Sequence, residues 1–417
     1  MAKLLEHQGK GWLRAAGLEV PRGRAASSPE EAATIAEELG ASVVVKAQVH
    51  AGGRGKSGGL SMADTPAEAA RAASSLLGRE FKDAQVREVL VEERLSIVRE
   101  FYASYTVNSA RDARSPMLMF SAEGGVDIES VPEDKLFRLM VSPTKGPDPE
   151  VLLDSLGRAG IAEAEQPALA EFLVGLFHAY RTYDCFTLEI NPLALTAEAR
   201  LVAADCKMEI DNNSVFRHPE MGIEVARDFG HEPTELDLIG WGIEEVDQRG
   251  SGFLMGMGFD EKSPGYIGYH PIGGGSAMLG MDALRKVDLK VANYADTSGN
   301  PVASKIYRVA KVVLSQPGIQ GYLLGGFMMA NQEQWHHAHA VVKALREVLP
   351  HRPGLPCLLL LCGNKEEESL AILREGLRDL PGGERIEIFG REHVTDTEFI
   401  AQRMLAMVGD YQRSQGG

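Results

Sequence analysis

Apolar and polar positions along the chain change period several times, and each change marks an element. From Leu169 through Phe172, Leu173, Leu176, Phe177 and Tyr180 the apolar residues recur at i, i+3, i+4, i+7 and i+8, the spacing of a helix that buries one face. The opening "MAKLLEHQGKGWLRAAGL" reads as a second amphipathic helix. Ser28-Pro29-Glu30-Glu31 and Thr65-Pro66-Ala67-Glu68 each set a hydroxyl three residues ahead of a glutamate with proline at the first helical position, so both start helices. Between and after them, "SVVVKAQV", "REVLVEER", "REFYASYTV" and "PMLMFSAEGG" are strands rich in β-branched and aromatic residues, with "NSARDARSP" as a hairpin connection. "CFTLEINPLAL" and "ARLVAADCKMEI" follow as two strands joined by the turn at 196–199.

An α+β domain therefore closes near Phe216. The stretch 218–250 is acidic and weakly periodic, which suggests a linker or edge segment. Beyond it, "GGGSAMLGMDALRK", "SKIYRVAKVVLSQ", "GYLLGGFM", "QEQWHHAHAVVKALREVL", "CLLLLCGN", "EEESLAILREGL", "IEIFG" and "TEFIAQRMLAMV" alternate helix with buried-type strand. That alternation implies a parallel sheet covered on both faces, with ligands at the carboxyl ends of its strands.

At 417 residues the chain exceeds the size at which one core keeps growing, so two domains are expected. A formal charge of −16 argues against a nucleic-acid or anionic-membrane surface, yet leaves room for a local basic site that gathers an anionic ligand. No apolar run approaches the length of a membrane span and the amino terminus lacks the features of a signal peptide, so a cytoplasmic location is expected. Cys185, Cys206, Cys357 and Cys362 have neither zinc-site nor disulfide-framework spacing, and are expected reduced and buried.

Against the acidic background one stretch stands out. "VVVKAQVHAGGRGKSGG" runs from a strand ending near Lys46 into five glycines, two cations and His50. Glycines let backbone N–H groups approach phosphate oxygens, and the cations neutralise them; a mobile surface loop is the alternative reading. Far downstream, Glu189 and Asn191 in "LEINPL" fall at the end of one strand, with Asp205 and Lys207 on the next. Oxygen ligands on adjacent strands suit Mg²⁺, which takes one or two protein ligands plus substrate phosphates; a salt-bridged hairpin is the alternative.

Taken in order, "VVVKAQVHAGGRGKSGG", "LVEERLSIVREFY", "SAEGGVDIESV", "LEINPLAL" and "DCKMEIDNNSVFRHPE" resemble the ATP-grasp half of the β subunit of succinyl-CoA synthetase. The resemblance spans nearly the whole chain, more weakly after Arg217. It implies an α/β protein with an ATP-grasp nucleotide-binding domain over 1–232 and a doubly wound, flavodoxin-like CoA-ligase domain over 233–417. It implies that Lys46, Gly53, Arg54 and Gly55 hold the ATP phosphates, that Glu92 meets the adenine and Glu100 the ribose side, and that Asn191 and Asp205 ligate Mg²⁺. It also implies a hetero-oligomer, because in that family a histidine on a separate α subunit is phosphorylated, the phosphohistidine then activates the carboxylate as an acyl phosphate, and CoA, which that subunit mainly binds, displaces the phosphate. The catalytic nucleophile is thus expected on the partner.

The carboxyl-terminal half departs from that pattern. Ile272 stands where succinyl-CoA synthetase has an asparagine, ahead of Gly273, Gly274, Gly275 and Ser276, and "ANYADTSGNP" replaces its glycine-rich turn. Both segments resemble ATP-citrate lyase and the large subunit of citryl-CoA synthetase. Three glycines opening a helix offer free N–H groups to an anion, so Gly274, Gly275, Ser276, Ser298, Gly299 and Asn331 are candidates for binding a citrate-like acid. The arginine that grips a carboxylate in the relatives falls here near Leu360. Succinyl-CoA or malyl-CoA synthetase β subunits, and a regulatory paralogue that keeps nucleotide binding but has lost acid recognition, are the other readings. A stand-alone carboxylate–amine ligase is disfavoured by the second domain. "WHHAHA", with His336, His337 and His339, is expected as a solvated or partner-facing helix surface, and "NKEEES" as a helix start with Glu366, Glu367 and Glu368 at the positive end of the dipole.

Overall fold

Two compact units, Met1–Glu232 and Pro233–Gly417, make up the chain. The computed structural model describes residues 1–50, 58–81, 84–108, 115–223, 233–258, 265–327 and 332–415.

The first unit holds two main antiparallel sheets, besides the short pair Glu80–Phe81 and Ala84–Gln85. The smaller runs in the order Gly23–Ala26, Val89–Glu93, Val43–Ala47, Leu60–Ala63. Helices Pro29–Leu39 and Pro66–Leu76 pack on one of its faces and start as the pattern predicts: Ser28 Oγ accepts from the Glu31 N–H and Thr65 Oγ1 from the Glu68 N–H. Val43, Val45, Ala47, Val89 and Val91 enter that core. Because side chains alternate along a strand, Val44, Lys46 and Glu92 take the opposite face.

The larger sheet runs Ala2–Lys3, Lys207–Ile210, Cys185–Thr196, Ile97–Val107, Pro116–Ser121, Leu136–Met140, with Leu201–Ala203 also on the long central strand. Its core joins Phe101, Ala103, Tyr105, Leu188 and Ile190 to the apolar stripe of helix Gln166–Thr182, whose Leu169, Phe172, Leu173, Leu176, Phe177 and Tyr180 are all buried. One expectation needs correcting. "ARLVAADCKMEI" is two strands, because Leu201–Ala203 pairs with Leu193–Leu195 while Lys207–Ile210 pairs with the earlier part of the same strand. The pairing with Ile97–Val107 likewise shifts register between Ile190 and Leu193. Pro192 has no N–H to give a ladder, so pairing lapses around it, and Asn191 and Asp205 both sit in that lapse.

The second unit is built on a five-stranded parallel sheet in the order Lys290–Val291, Tyr266–Pro271, Gly321–Gly325, Cys357–Leu360, Ile386–Phe389. Counted along the chain this is 2-1-3-4-5, the flavodoxin-like winding. Tyr322, Leu324, Cys357 and Leu359 face helices Ala303–Ser315, Trp335–Val348 and Glu366–Gly376, while Leu323, Leu358 and Leu360 face helices Gly274–Lys286 and Thr397–Gln415. Strands covered on both faces read as continuous apolar runs, which is why "CLLLLC" shows no alternation.

The expected linker over 218–250 is corrected in part: it contains helix Glu235–Glu245, opened by a reciprocal cap in which Thr234 Oγ1 accepts from the Asp237 N–H and Asp237 Oδ2 accepts from the Thr234 N–H. Its inward face carries Gly240, where a Cβ would stand 3.0 Å from Leu254, and the buried Asp237, which also accepts from the Gly256 N–H. Ile243 and Leu236 share that face with the core, but Gly240 and the capped carboxylate interrupt its apolar period. Among the described residues, no helix is long and apolar enough to cross a membrane.

Candidate functional site

Lys46, Glu92, Glu100, Asn191 and Asp205 line one cleft of about 1380 Å³ in the first unit. The smaller sheet contributes Lys46 and Glu92 from the face opposite its core. The larger contributes Glu100 from Ile97–Val107 and the two residues at the lapse in its ladder. Gly53, Arg54 and Gly55 lie outside the described residues. His50 also lines the cleft.

Lys46 is held in a buried ionic cluster. Its Nζ lies 3.0 Å from Glu6 Oε1, 2.6 Å from Glu92 Oε1 and 2.7 Å from the Ala204 carbonyl oxygen, to which it donates. Burial opposes the Lys46 charge, but Glu6, Glu92 and Asp205 outweigh it and hold its pKa above the ordinary lysine value. Glu92, which the resemblance assigns to adenine, here spends its carboxylate on lysines: Lys10 donates to both of its oxygens, at 3.0 and 2.7 Å. Glu6 and Lys10 come from helix Glu6–Ala15, read from the sequence only as amphipathic. The available signal was their spacing, since 6, 10 and 13 share a helical face and Leu13 is fully buried. Charges in register with a core leucine are charges with partners.

On the other wall, "SAEGGVDIESV" folds back onto the strand Ile97–Val107. The Gly124 N–H donates to the Glu100 carbonyl, and Cβ atoms added at Gly124 and Gly125 would meet the Phe101 backbone at 2.4 Å and Glu100 Oε2 at 2.1 Å. Gly125 also has φ +68°, so glycine is demanded twice over. Asn191 fixes the same loop, its Oδ1 accepting from the Gly125 N–H at 2.8 Å and its Nδ2 donating to the Val126 carbonyl at 2.9 Å. Asp205 Oδ1 accepts from the Cys206 N–H. Next to them Glu189 is held above the usual carboxylate pKa by burial, relieved by Lys207 and reinforced by the negative Asp205. An amide oxygen and a carboxylate beside a second carboxylate under electrostatic pressure form a hard-oxygen donor set that fits Mg²⁺. No group of three or more His, Cys, Asp or Glu side chains forms a cage among the described residues, so the remaining ligands would come from phosphate and water.

In the second unit the candidate acid-binding residues divide. Gly274 and Gly275 open helix Gly274–Lys286, and Gly275 is exposed. Ser276 is fully buried instead: its hydroxyl donates to the Gly325 carbonyl at 2.6 Å and accepts from the Phe327 N–H at 2.8 Å. Ser298 gives its hydroxyl and its N–H to Asp296, whose Oδ1 also takes the Gly273 N–H. A carboxylate of the chain's own thus sits beside the helix start. Gly299 has φ +73°, with a Cβ position 3.3 Å from the Gly250 Cα, so it serves a turn. Asn331 lies outside the described residues. Leu360 is fully buried in the parallel sheet.

The histidine-rich helix is corrected in part. His339 is exposed and His336 stacks on Trp335 at 3.8 Å, but His337 is buried. Its Nε2 lies 3.0 Å from Thr297 Oγ1, which is 2.9 Å from Nε2 of the buried His270, whose Nδ1 is 2.7 Å from the Tyr322 hydroxyl. Burial pushes both imidazoles down to about 3, so both are neutral at physiological pH. As expected, Glu366, Glu367 and Glu368 fill the first turn of helix Glu366–Gly376.

A family model described as an ATP-grasp domain matches residues 3–195. The chain is 37% identical over 376 residues to a protein named the GDP-forming succinate–CoA ligase β subunit of Thermus thermophilus, covering 89% of this chain and 93% of that one. It is 34% identical to the ADP-forming β subunit of Rubrobacter xylanophilus, covering 89% and 92%. Among solved structures, ATP citrate lyase from Methanothrix soehngenii, in complex with citrate and coenzyme A, superposes with a TM-score of 0.78 over 96% of this chain and 99% of that one, at 20% identity. That likeness carries the fold, from the ATP-grasp domain through the parallel-sheet domain. With more than a third of its residues shared over almost its whole length, the chain belongs to the succinate–CoA ligase β-subunit family and is an ATP-grasp acid–CoA ligase subunit.

Proposed function

We propose that this chain is the nucleotide-using subunit of its ligase: it binds ATP–Mg²⁺ in the cleft of the first unit and transfers the terminal phosphoryl group to a histidine of a partner α subunit, which carries it to the acid and then exchanges it for CoA. The convergence of Lys46, Glu100, Asn191 and Asp205 on one cleft is the observation that carries this reading. Phosphoryl transfer asks a protein mainly for positioning and charge stabilisation. Lys46 and the loop over 53–55 would steady the phosphates, Asn191 and Asp205 would hold the metal, and residues 1–232 would act as the nucleotide domain and 233–417 as the CoA-ligase domain.

For the acid, the triple glycine at 273–275 and the "ANYADTSG" segment support citrate. The N–H groups of Gly274 and Gly275 at a helix start would meet one carboxylate. A specific observation favours succinate as a second reading. The Ser276 and Ser298 hydroxyls are both committed within the chain, and Asp296 stands beside the helix start, an arrangement better matched to an acid of lower charge. ADP release by the reconstituted complex with CoA and citrate, succinate or malate tests both. A kcat/KM highest for citrate supports the first reading and one highest for succinate the second, while no acid-dependent release would leave a nucleotide-binding paralogue.

A further inference from the structure

Lys10 has no assigned role, yet it duplicates Lys46. Its Nζ lies 2.7 Å from Glu6 Oε1, 2.7 Å from Glu92 Oε2 and 2.8 Å from the Ala204 carbonyl oxygen. Lys46 reaches the same Glu6 oxygen, the same Glu92 carboxylate and the same carbonyl. The side chains of Lys10, Glu6 and Glu92 are 4%, 1% and 4% exposed. An ammonium has three N–H groups, and here Lys46 has an acceptor for each. To hold a phosphate it must release at least one of them. If Lys46 were their only cation, that release would leave two buried carboxylates uncompensated, which is strongly unfavourable.

We infer that Lys10 is a positioning residue that lets Lys46 exchange acceptors: when Lys46 turns to the phosphates, Lys10 keeps Glu6, Glu92 and the Ala204 carbonyl satisfied. The shared carbonyl precedes Asp205, so the same ammonium also steadies the backbone beside the metal candidate. Charge counting gives the inference its test. Departure of Lys46 leaves a cluster of net charge −1 with Lys10 in place, −2 in Lys10→Met, and −1 again in Lys10→Met/Glu6→Gln. The inference rests on Lys46 being the phosphate-binding lysine.

The experiment measures ATP–Mg²⁺ affinity and partner phosphorylation in the reconstituted complex. Lys10→Met should weaken ATP binding by about tenfold or more, the scale of one charge-assisted hydrogen bond. Adding Glu6→Gln should bring affinity back to within about threefold of wild type, a coupling that neighbours in one network show and independent sites do not. In a Lys46→Met background, Lys10→Met should add no further loss, which a merely structural role would not produce. If Lys46→Met binds ATP as wild type does, the reading of the cleft falls and this inference with it. If Lys46→Met is impaired while Lys10→Met is not, or the two losses add in full, the inference alone is overturned. Should Lys10→Met fail to fold, the charge-balanced Lys10→Gln/Glu6→Gln protein decides: affinity within about threefold of wild type supports the inference and a tenfold loss overturns it.

Discussion

The cleft of the first unit and the helix start of the second were both marked by clustered glycines beside polar residues, and they are made differently. In the cleft the candidate side chains face the open space, and their bonds are to groups that line it or lie beneath it: Lys46 to Glu92 and Glu6, Asn191 to the loop at Gly125. At Gly274 the candidate hydroxyls turn inward, Ser276 to the backbone at Gly325 and Phe327, Ser298 to Asp296. A serine in a glycine-rich turn is as good a cap for its own chain as for a ligand. Two lysines and two carboxylates gathered under a cleft cost desolvation that folding alone has little reason to accept.

The comparison breaks most readily at its charged side. Lys46→Ala or Asp205→Asn should cut phosphorylation of the partner histidine by about a hundredfold or more, the scale seen when a group that stabilises developing charge is removed; rapid labelling from γ-phosphate-labelled ATP is the measurement. Gly125→Ala combines a left-handed backbone with a 2.1 Å approach to Glu100 Oε2, so it should cost about 1–3 kcal/mol of local strain. That strain should appear as a raised KM for ATP with little change in the KM for the acid.

On the second unit the expected effects are on stability. Ser276→Ala removes two buried hydrogen bonds and should lower unfolding free energy by about 1–3 kcal/mol in denaturant titration, with the KM of the acid nearly unchanged; a large KM effect would reinstate Ser276 as a substrate ligand. His270 and His337 add a pH term. Their folded pKa values are depressed to about 3, so their stabilising contribution is complete above the unfolded value near 6.5 and is lost as pH falls from there toward 3. Each proton taken up on unfolding steepens the loss by up to about 1.4 kcal/mol per pH unit. His337→Gln should flatten stability between pH 6.5 and 4. Smallest of all, Ser298→Ala should cost under about 1 kcal/mol, because Asp296 keeps two backbone N–H donors.

Much of this was legible in the sequence because local signals and tertiary placement agreed. The two capped helices, the stripe from Leu169 to Tyr180 and the alternation of the second half all name their elements. What escaped had no clear local signal. Helix Glu235–Glu245 turns inward a face whose apolar period Gly240 and Asp237 interrupt. The strand break at 204–206 follows from Pro192, a dozen residues away on another strand. Glu6 and Lys10 look like ordinary helix charges until the smaller sheet brings Glu92 to them. His337 looked like surface because its neighbours His336 and His339 are at least partly so, and only Thr297 and His270, distant in sequence, reveal its burial.

The cleft of the first unit is the proposed place where ATP–Mg²⁺ is bound and spent. Titration of ATP–Mg²⁺ into the reconstituted complex, for wild type and for Asp205→Asn, is the most direct test of that proposal. Saturable binding by wild type that weakens at least about tenfold in Asp205→Asn, as loss of one charged metal ligand requires, is the expected result. Equal affinity in the two proteins would contradict it.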